Sequence, residues 1–289
     1  MIKLIASDMD GTLLDSKMAV SKDNASAIRE AARQGVEFMV ATGRAYTEAK
    51  PPLEEAGIEC AMITLNGAQV FDKDGNSVFV AGIEKDTVHE VLDMLDQHEV
   101  YYEISTNEGI FSEKQEKRIE NFATHIASTM PHLTYKVAIA MAAAHLSLLE
   151  ITYVKDMREL IDREDIEVLK IIGFSIEGPK VLGPVSLKLD KLPDVVVTSS
   201  AQNNIEVNHK NAQKGIAVAN IAKKKGISAD EVMTIGDNFN DVSMLQWAGV
   251  SFAMGNAEVE VKDYAKYTTA TNLENGVGEA ILRAIREDL

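Results

Sequence analysis

Apolar and polar positions along the chain fall into two alternating rhythms. IKLIAS (2–7), VEFMVAT (36–42) and AMITL (61–65) are short, continuous apolar runs, the pattern of strands covered on both faces. Between the first two lies SKDNASAIREAARQG (21–35), where Ala25, Ile28 and Ala32 recur at helical spacing. Ser21 offers an oxygen to the unpaired amides of that helix's first turn, and Gly35 a stop. A further helix is expected around 46–56. The same rhythm returns late in the chain, with a helix over 211–226, a strand at 232–237 (VMTIGD), a helix at 240–249, a strand at 250–254 (VSFAM) and a closing helix at 276–288. Strands alternating with helices predict an α/β fold with a mainly parallel sheet.

The middle of the chain reads differently. EKDTVHEVLDMLDQHE (84–99) is amphipathic, with Val88, Val91, Leu92 and Leu95 on one face. The runs at 100–106, 170–176, 195–200 and 204–208 show partial alternation, which suits a sheet packed on one face only. Gly178-Pro179, Gly183-Pro184 and Pro193 punctuate 177–194, where a broken helix and a loop fit equally well. The simplest parse is an α/β core, 1–83 and 207–289, interrupted by an inserted α+β module at 84–206.

Composition narrows the classes. A length of 289 residues suits roughly two domains of ~150 residues. With 46% hydrophobic and 26% charged residues, disordered and fibrous readings are excluded. Lys and Arg total 29 against 45 Asp and Glu, a net charge of −16. Such a surface repels nucleic acid and anionic membrane, so neither is an expected partner. Cys60 is the sole cysteine; it cannot form an internal disulfide, and within CAMITL it reads as a buried apolar residue. The N-terminal apolar run is too short for a signal peptide, and no stretch approaches the ~20 apolar residues of a membrane span. A cytoplasmic location is expected. Lys223, Lys224 and Lys225 read as a solvated helix end, where cations meet the negative pole of the helix dipole.

The polar signals gather just beyond the C-terminal ends of the core strands, where open α/β sheets bind ligands. They are DMDGTLL (8–14), TGR (42–44), NG (66–67), Gln213-Lys214 and GDNFND (236–241). In extended backbone Asp8 and Asp10, at i and i+2, point the same way, and Asp237 and Asp241 are placed to converge on them. Four crowded carboxylates raise one another's pKa unless a cation is present. Few, hard oxygen ligands favour Mg²⁺, which in such a site usually meets a phosphate. The Thr42 hydroxyl and the backbone N–H groups around Met9, Gly11 and Gly43 are donors for phosphate oxygens, with Lys214 as a point cation. There is no GxxxxGK[ST] and no GxGxxG after a strand, which disfavours P-loop and dinucleotide enzymes.

These motifs, in this order, resemble those of the haloacid dehalogenase-like (HAD) hydrolases. The module inserted between TGR and Lys214 resembles the C2B cap of the Cof-type branch, and TLNGA (64–68), MGNA (254–257) and ENGVGEAI (274–281) extend the likeness over the chain. The resemblance implies a Rossmann-like core with Asp8 as nucleophile. Asp10 would be the general acid/base, its backbone carbonyl also ligating the metal. Thr42 and Lys214, with the backbone at Met9 and Gly43, would bind phosphate. Asp8, Asp237 and Asp241 would face Mg²⁺, with Asn240 supporting metal and phosphate. The implied activity is Mg²⁺-dependent hydrolysis of small phosphorylated metabolites of the sugar phosphate class, through an aspartyl-phosphate. Alternatives are a sugar phosphomutase and a non-catalytic phosphometabolite sensor; binding alone needs no nucleophile, so intact Asp8 and Asp10 weigh against the sensor. Gln213 stands where relatives often have Ser, and Asn275 where Asp is common. In the cap, Tyr101, Tyr102, Glu103, Asn203, Asn204 and Glu206 are candidates to read the leaving group.

Overall fold

The computed structural model describes residues 1–130, 132–146, 151–199, 202–287 and 289. Position 200 of the run 195–200 and position 288 of the closing helix lie outside the described residues. The chain divides into two compact units, Met1–Ala81 with Asn211–Leu289, and Gly82–Lys210.

The first unit opens with β1 (Leu4–Ser7), α1 (Lys22–Arg33), β2 (Glu37–Ala41), α2 (Tyr46–Glu55), β3 (Ala61–Thr64), β4 (Gln69–Phe71) and β5 (Ser77–Val80). Ser21 Oγ accepts the Asn24 amide at 3.1 Å, satisfying one of the donors that α1 leaves unpaired. Ala25, Ile28 and Ala31 of α1 are buried, whereas Ala32 is exposed. The helix turns its i+3 position inward at that point rather than i+4.

The second unit contains α3 (Lys85–Gln97), β6 (Tyr101–Thr106), β7 (Gly109–Ser112), α4 (Gln115–Thr129), α5 (Tyr135–Leu146), β8 (Ile151–Tyr153), α6 (Met157–Asp162), β9 (Val168–Phe174), α7 (Pro179–Leu189), β10 (Val195–Thr198) and β11 (Asn204–His209). Its sheet runs β10-β11-β9-β6-β7-β8, antiparallel apart from the parallel β7–β8 pair. Ile104, Ile171 and Val207 share one face and join the core with Leu92, Leu95 and Val185. Stretch 177–194 is mainly helix. Pro179 occupies a first-turn position of α7, where its missing N–H costs no hydrogen bond, and Leu182, Val185 and Leu189 are buried despite Pro184.

The chain then returns to the first unit with α8 (Lys214–Lys224), β12 (Val232–Gly236), α9 (Val242–Trp247), β13 (Val250–Ala253), α10 (Val259–Lys262), β14 (Tyr267–Thr268) and α11 (Gly276–Glu287). The sheet order is β14-β13-β12-β1-β2-β3-β4-β5. It is parallel from β14 to β3 and antiparallel only at the β3–β4–β5 edge. Alternation sends Ile5 and Val40 to one apolar layer with Ile281. Leu4, Ala6, Met39 and Ala41 enter the opposite layer with Val218 and Met244. Ser7 is registered between Ile235 and Val40, so β12, β1 and β2 end side by side and their following loops meet at one edge.

Candidate active site

The turn after β1 sets the site. Residues Met9–Leu13 form a kinked turn that is non-helical at Asp10 (φ −77°, ψ 122°) and at Gly11 (φ +75°, ψ 0°), the latter a conformation that costs glycine little. A Cβ at Gly11 would stand 2.4 Å from Asp237 Oδ2, so the missing side chain also lets the β12 loop close in. Thr12 Oγ1 donates to Asp237 Oδ1 at 2.9 Å, tying the two loops together.

Lys214 is the centre of the arrangement. A lysine in the first turn of a helix sits at the positive pole of the dipole and is ordinarily solvated. Here it is fully buried, and its Nζ donates to Asp8 Oδ1 at 2.6 Å and Asp241 Oδ1 at 2.7 Å. Two carboxylates offset both the burial and the dipole. Asp241 Oδ2 accepts the backbone N–H groups of Asp237 and Asn238 at 2.9 and 3.0 Å, and Gly215 N–H donates to Ser243 Oγ at 3.0 Å. The start of α8 is thus fastened to the GDNFND turn and the start of α9.

Asp8, Asp237 and Asp241 each offer a carboxylate oxygen, and these atoms lie within 4.8 Å of one another. Burial and the Asp241 charge raise the Asp8 pKa well above the ordinary carboxylate range, with Lys214 opposing and Asp237 adding to the crowding. Asp237 is pushed up to about 6 by burial and then Asp241, against the Thr12 hydrogen bond and Lys214. Burial alone would lower the Lys214 pKa, but Asp241 and Asp8 outweigh it and keep the ammonium charged. Three carboxylates against one ammonium leave a deficit of positive charge, which a divalent cation would supply. The Asn240 Oδ1 is buried without a hydrogen-bond partner in the structure, while its Nδ2 donates to Asn66 Oδ1 at 3.1 Å. That free acceptor also suits a cation or a donor.

The sequence expectation of four converging carboxylates needs correction. Asp10 does not join the trio: Arg44 Nη2 and Nε grip its Oδ1 and Oδ2 at 2.6 and 2.8 Å. The i, i+2 argument needs a continuous strand, and β1 ends at Ser7, before a turn that kinks at Asp10 and Gly11. Thr42 is fully buried, its Oγ1 accepting Arg44 N–H at 3.1 Å. Gly43 lies against the Asn66 amide, where a Cβ would meet Oδ1 at 3.1 Å. The Met9 side chain is buried in the apolar layer with Ile5, leaving only its backbone for a ligand. Thr12, Arg44 and Asn66 sit inside motifs the sequence singled out, yet received no role there, because the direction of each side chain is set by the tertiary fold. Cys60 is buried, which pushes its thiol up to about 12 and leaves it inert as a nucleophile.

The six candidates in the second unit separate by strand alternation. Tyr101 and Asn204 pair through Phe174, and Glu103 and Glu206 through Ile172, so all four share one sheet face. On that face Tyr101 Oη donates to Glu103 Oε1 at 2.8 Å. Arg118 reaches Glu103 at 3.1 Å, and Lys170 reaches Glu206 at 2.7 Å. Tyr102 points the other way and packs on the apolar core. Asn203 precedes β11 and is half-buried.

Residues 5–281 match the model of the haloacid dehalogenase-like hydrolase family, and the chain belongs to that family. Phosphatase YwpJ of Bacillus subtilis is 34% identical over 278 residues, covering 96% of this chain and 97% of the relative. The 5-amino-6-(5-phospho-D-ribitylamino)uracil phosphatase YcsE of the same organism is 31% identical over 280 residues, covering 97% and 94%. A solved haloacid dehalogenase-like hydrolase from B. subtilis superposes with a TM-score of 0.84 at 33% identity, over 97% of this chain and 99% of that one. Within the family, the chain is a phosphatase. Among the described residues no helix is long and apolar enough to cross a membrane.

Proposed function

We propose that this phosphatase hydrolyses monoesters of small polyhydroxylated metabolites, the sugar phosphate class, in a Mg²⁺-dependent reaction through an aspartyl-phosphate on Asp8. The observation that carries the reading is Asp8 itself. It is a buried carboxylate, aimed by the Lys214 ammonium at 2.6 Å and grouped with two further carboxylates within 4.8 Å.

In this reading the Asp8 carboxylate attacks phosphorus, and the P–O bond to the leaving group breaks as the new Asp8–phosphate bond forms. Asp10 gives the leaving oxygen a proton, then takes one from the water that cleaves the aspartyl-phosphate. Lys214, held charged, faces the charge that spreads over the phosphoryl oxygens, and the Thr42 hydroxyl and the backbone at Met9 and Gly43 supply donors. When bound between Asp8, Asp237 and Asp241, Mg²⁺ supplies Lewis-acid neutralisation of phosphoryl charge. The relative that acts on a phosphorylated ribitylamino compound is consistent with a polyol leaving group. A panel of phosphorylated metabolites assayed with Mg²⁺ tests the reading. Phosphate release in step with substrate loss supports a phosphatase of this class, whereas substrate isomerisation without phosphate release would identify a mutase.

The metal assignment makes its own prediction. Protein stripped with EDTA is expected to be inactive and to regain turnover with Mg²⁺. A proton on Asp237, held up to about 6, must leave before the carboxylate can act as a ligand. Mg²⁺ affinity measured by calorimetry should therefore weaken about tenfold per pH unit below that point. An affinity that stays level from neutral pH down to about 5 would take Asp237 out of the ligand set.

Asp10→Asn keeps the nucleophile and removes the proton donor. An alkoxide leaving group needs that proton, whereas an aryl phenolate scarcely does. The Asp10→Asn protein should fail to react with sugar phosphates yet still accept phosphate from p-nitrophenyl phosphate. It should give a burst of nitrophenolate, slow turnover and a trapped phosphoprotein visible by intact mass. Equal loss of the first step on both substrates would remove the acid role from Asp10.

A further inference from the structure

Arg44 closes the TGR turn after β2, and both edges of its guanidinium are engaged. Nε and Nη2 hold the two oxygens of Asp10 at 2.8 and 2.6 Å, the fork geometry that suits carboxylates and phosphates alike. Nη1 donates to the Glu48 carbonyl at 3.2 Å, and the Glu48 carboxylate receives the Ala45 N–H at 3.0 Å. The arginine is therefore anchored to the first turn of α2. Its side chain is 20% exposed, against 48% for Asp10, so solvent lies beside the acid while the arginine is packed and tied to α2. Burial alone would lower the Arg44 pKa, but the Asp10 pair overcomes it, and the charges of Glu48 and Asp8 add to the effect. The guanidinium thus stands within electrostatic reach of the nucleophile as well as in contact with the acid.

A carboxylate gripped through both oxygens cannot at the same time reach a leaving group. Left unheld, Asp10 would be pushed outward by the negative charge of the neighbouring carboxylates. We propose that Arg44 is a positioning residue for Asp10: it parks the carboxylate at the rim of the site, and an arriving phosphate dianion takes over the guanidinium fork and releases Asp10, which takes a proton from solvent on its exposed side and carries it to the leaving oxygen. This rests on the assignment of Asp8 as nucleophile and Asp10 as acid. Its consequence is that the acid is delivered only when a phosphate is present.

The test uses Arg44→Lys, which keeps the charge and loses the fork, alone and combined with Asp10→Asn. Each protein is assayed with p-nitrophenyl phosphate and with phenyl phosphate, whose phenolate is much the poorer leaving group. With Arg44→Lys, KM should rise for both esters through weaker phosphate binding. The first step, followed as phenol or nitrophenol released in a single turnover, should slow about tenfold or more for phenyl phosphate and only about threefold or less for p-nitrophenyl phosphate, because only the former needs a well-placed acid there. In the Asp10→Asn background the same substitution should leave the ratio of the two first-step rates unchanged, the coupling expected of residues that act through one another. Arg44→Ala should widen the split between the two esters. Equal slowing of the first step on both esters, or an undiminished effect on it in the Asp10→Asn background, would overturn the proposal and show Arg44 acting on phosphate alone. Unchanged kinetics in both Arg44 variants would also overturn it. Full activity of the Asp8→Asn protein would instead strike the underlying assignment of the nucleophile.

Discussion

Replacing Asp8 with Asn is expected to abolish turnover, with kcat falling on the order of 10⁵-fold and no phosphoprotein forming with any ester. The loss should come without unfolding. In the metal-free protein Asp8 is one of three carboxylates facing a single ammonium, and burial with the Asp241 charge raises its pKa. A carboxylate whose folded pKa is raised binds its proton more tightly in the native than in the unfolded chain. Above that pKa its ionisation opposes folding. Asp8→Asn removes the opposing charge and leaves Lys214 its partner Asp241 at 2.7 Å. In EDTA at neutral pH the variant should therefore melt at or above the wild-type temperature, the trade of stability for function common at active sites. Phosphorylation of the Asp8→Asn protein by p-nitrophenyl phosphate would remove Asp8 from the nucleophile's role. A much lower melting temperature would show that the crowding is relieved by something other than a missing cation.

How far the chain could be read before folding differs between its parts for physical reasons. Parallel strands buried on both faces have no polar alternation to confuse them, and β1, β2, β3, β12 and β13 stand within a residue or two of their apolar runs. Strands β4 and β5, at the antiparallel end of the sheet, were invisible: they are three and four residues long and largely half-buried or exposed, so neither length nor pattern marks them. Helix α5 (YKVAIAMAAAHL) is apolar nearly all round and carries no helical stripe to detect. In α7 the prolines spoke against a helix, but Pro179 sits where the first turn tolerates it and the apolar spacing of Leu182, Val185 and Leu189 prevails.

The candidate site divides along the same line. Residue type and position at a strand end are local properties, and they point to Asp8, Lys214, Asp237 and Asp241, which the fold brings together. Side-chain direction is not local once the backbone leaves the strand. The kinked turn at Met9–Leu13 leaves Asp10 paired with Arg44 rather than in the carboxylate trio. A sequence argument from alternation cannot anticipate a turn whose geometry depends on a glycine packed against Asp237. In the second unit alternation did apply, and it separates Tyr102 from Tyr101 and Glu103 because the strand remains regular there.

The second large effect is expected at Lys214. Lys214→Met keeps much of the side chain's length and removes its charge, leaving Asp8 and Asp241 buried without their shared ammonium. Breaking a buried pair by deleting one partner costs about 3–5 kcal/mol, a fall in melting temperature of roughly 6–20 °C for a unit of this size. Activity should fall with it, about 10³-fold, because the phosphoryl charge loses its fixed cation. Packing and charge are separated by pH. If the penalty is electrostatic, carboxylates deprived of the ammonium hold their protons to higher pH, and folding is penalised only where they must ionise. The gap between wild type and variant should then be wide near pH 8 and narrow near about pH 5. Adding Asp241→Asn to Lys214→Met should recover stability near pH 8 without restoring turnover, since the uncompensated charge is reduced while the catalytic cation stays absent. A gap of the same size at both pH values would assign the loss to a packing defect and deny Lys214 its role as the counter-charge of the nucleophile.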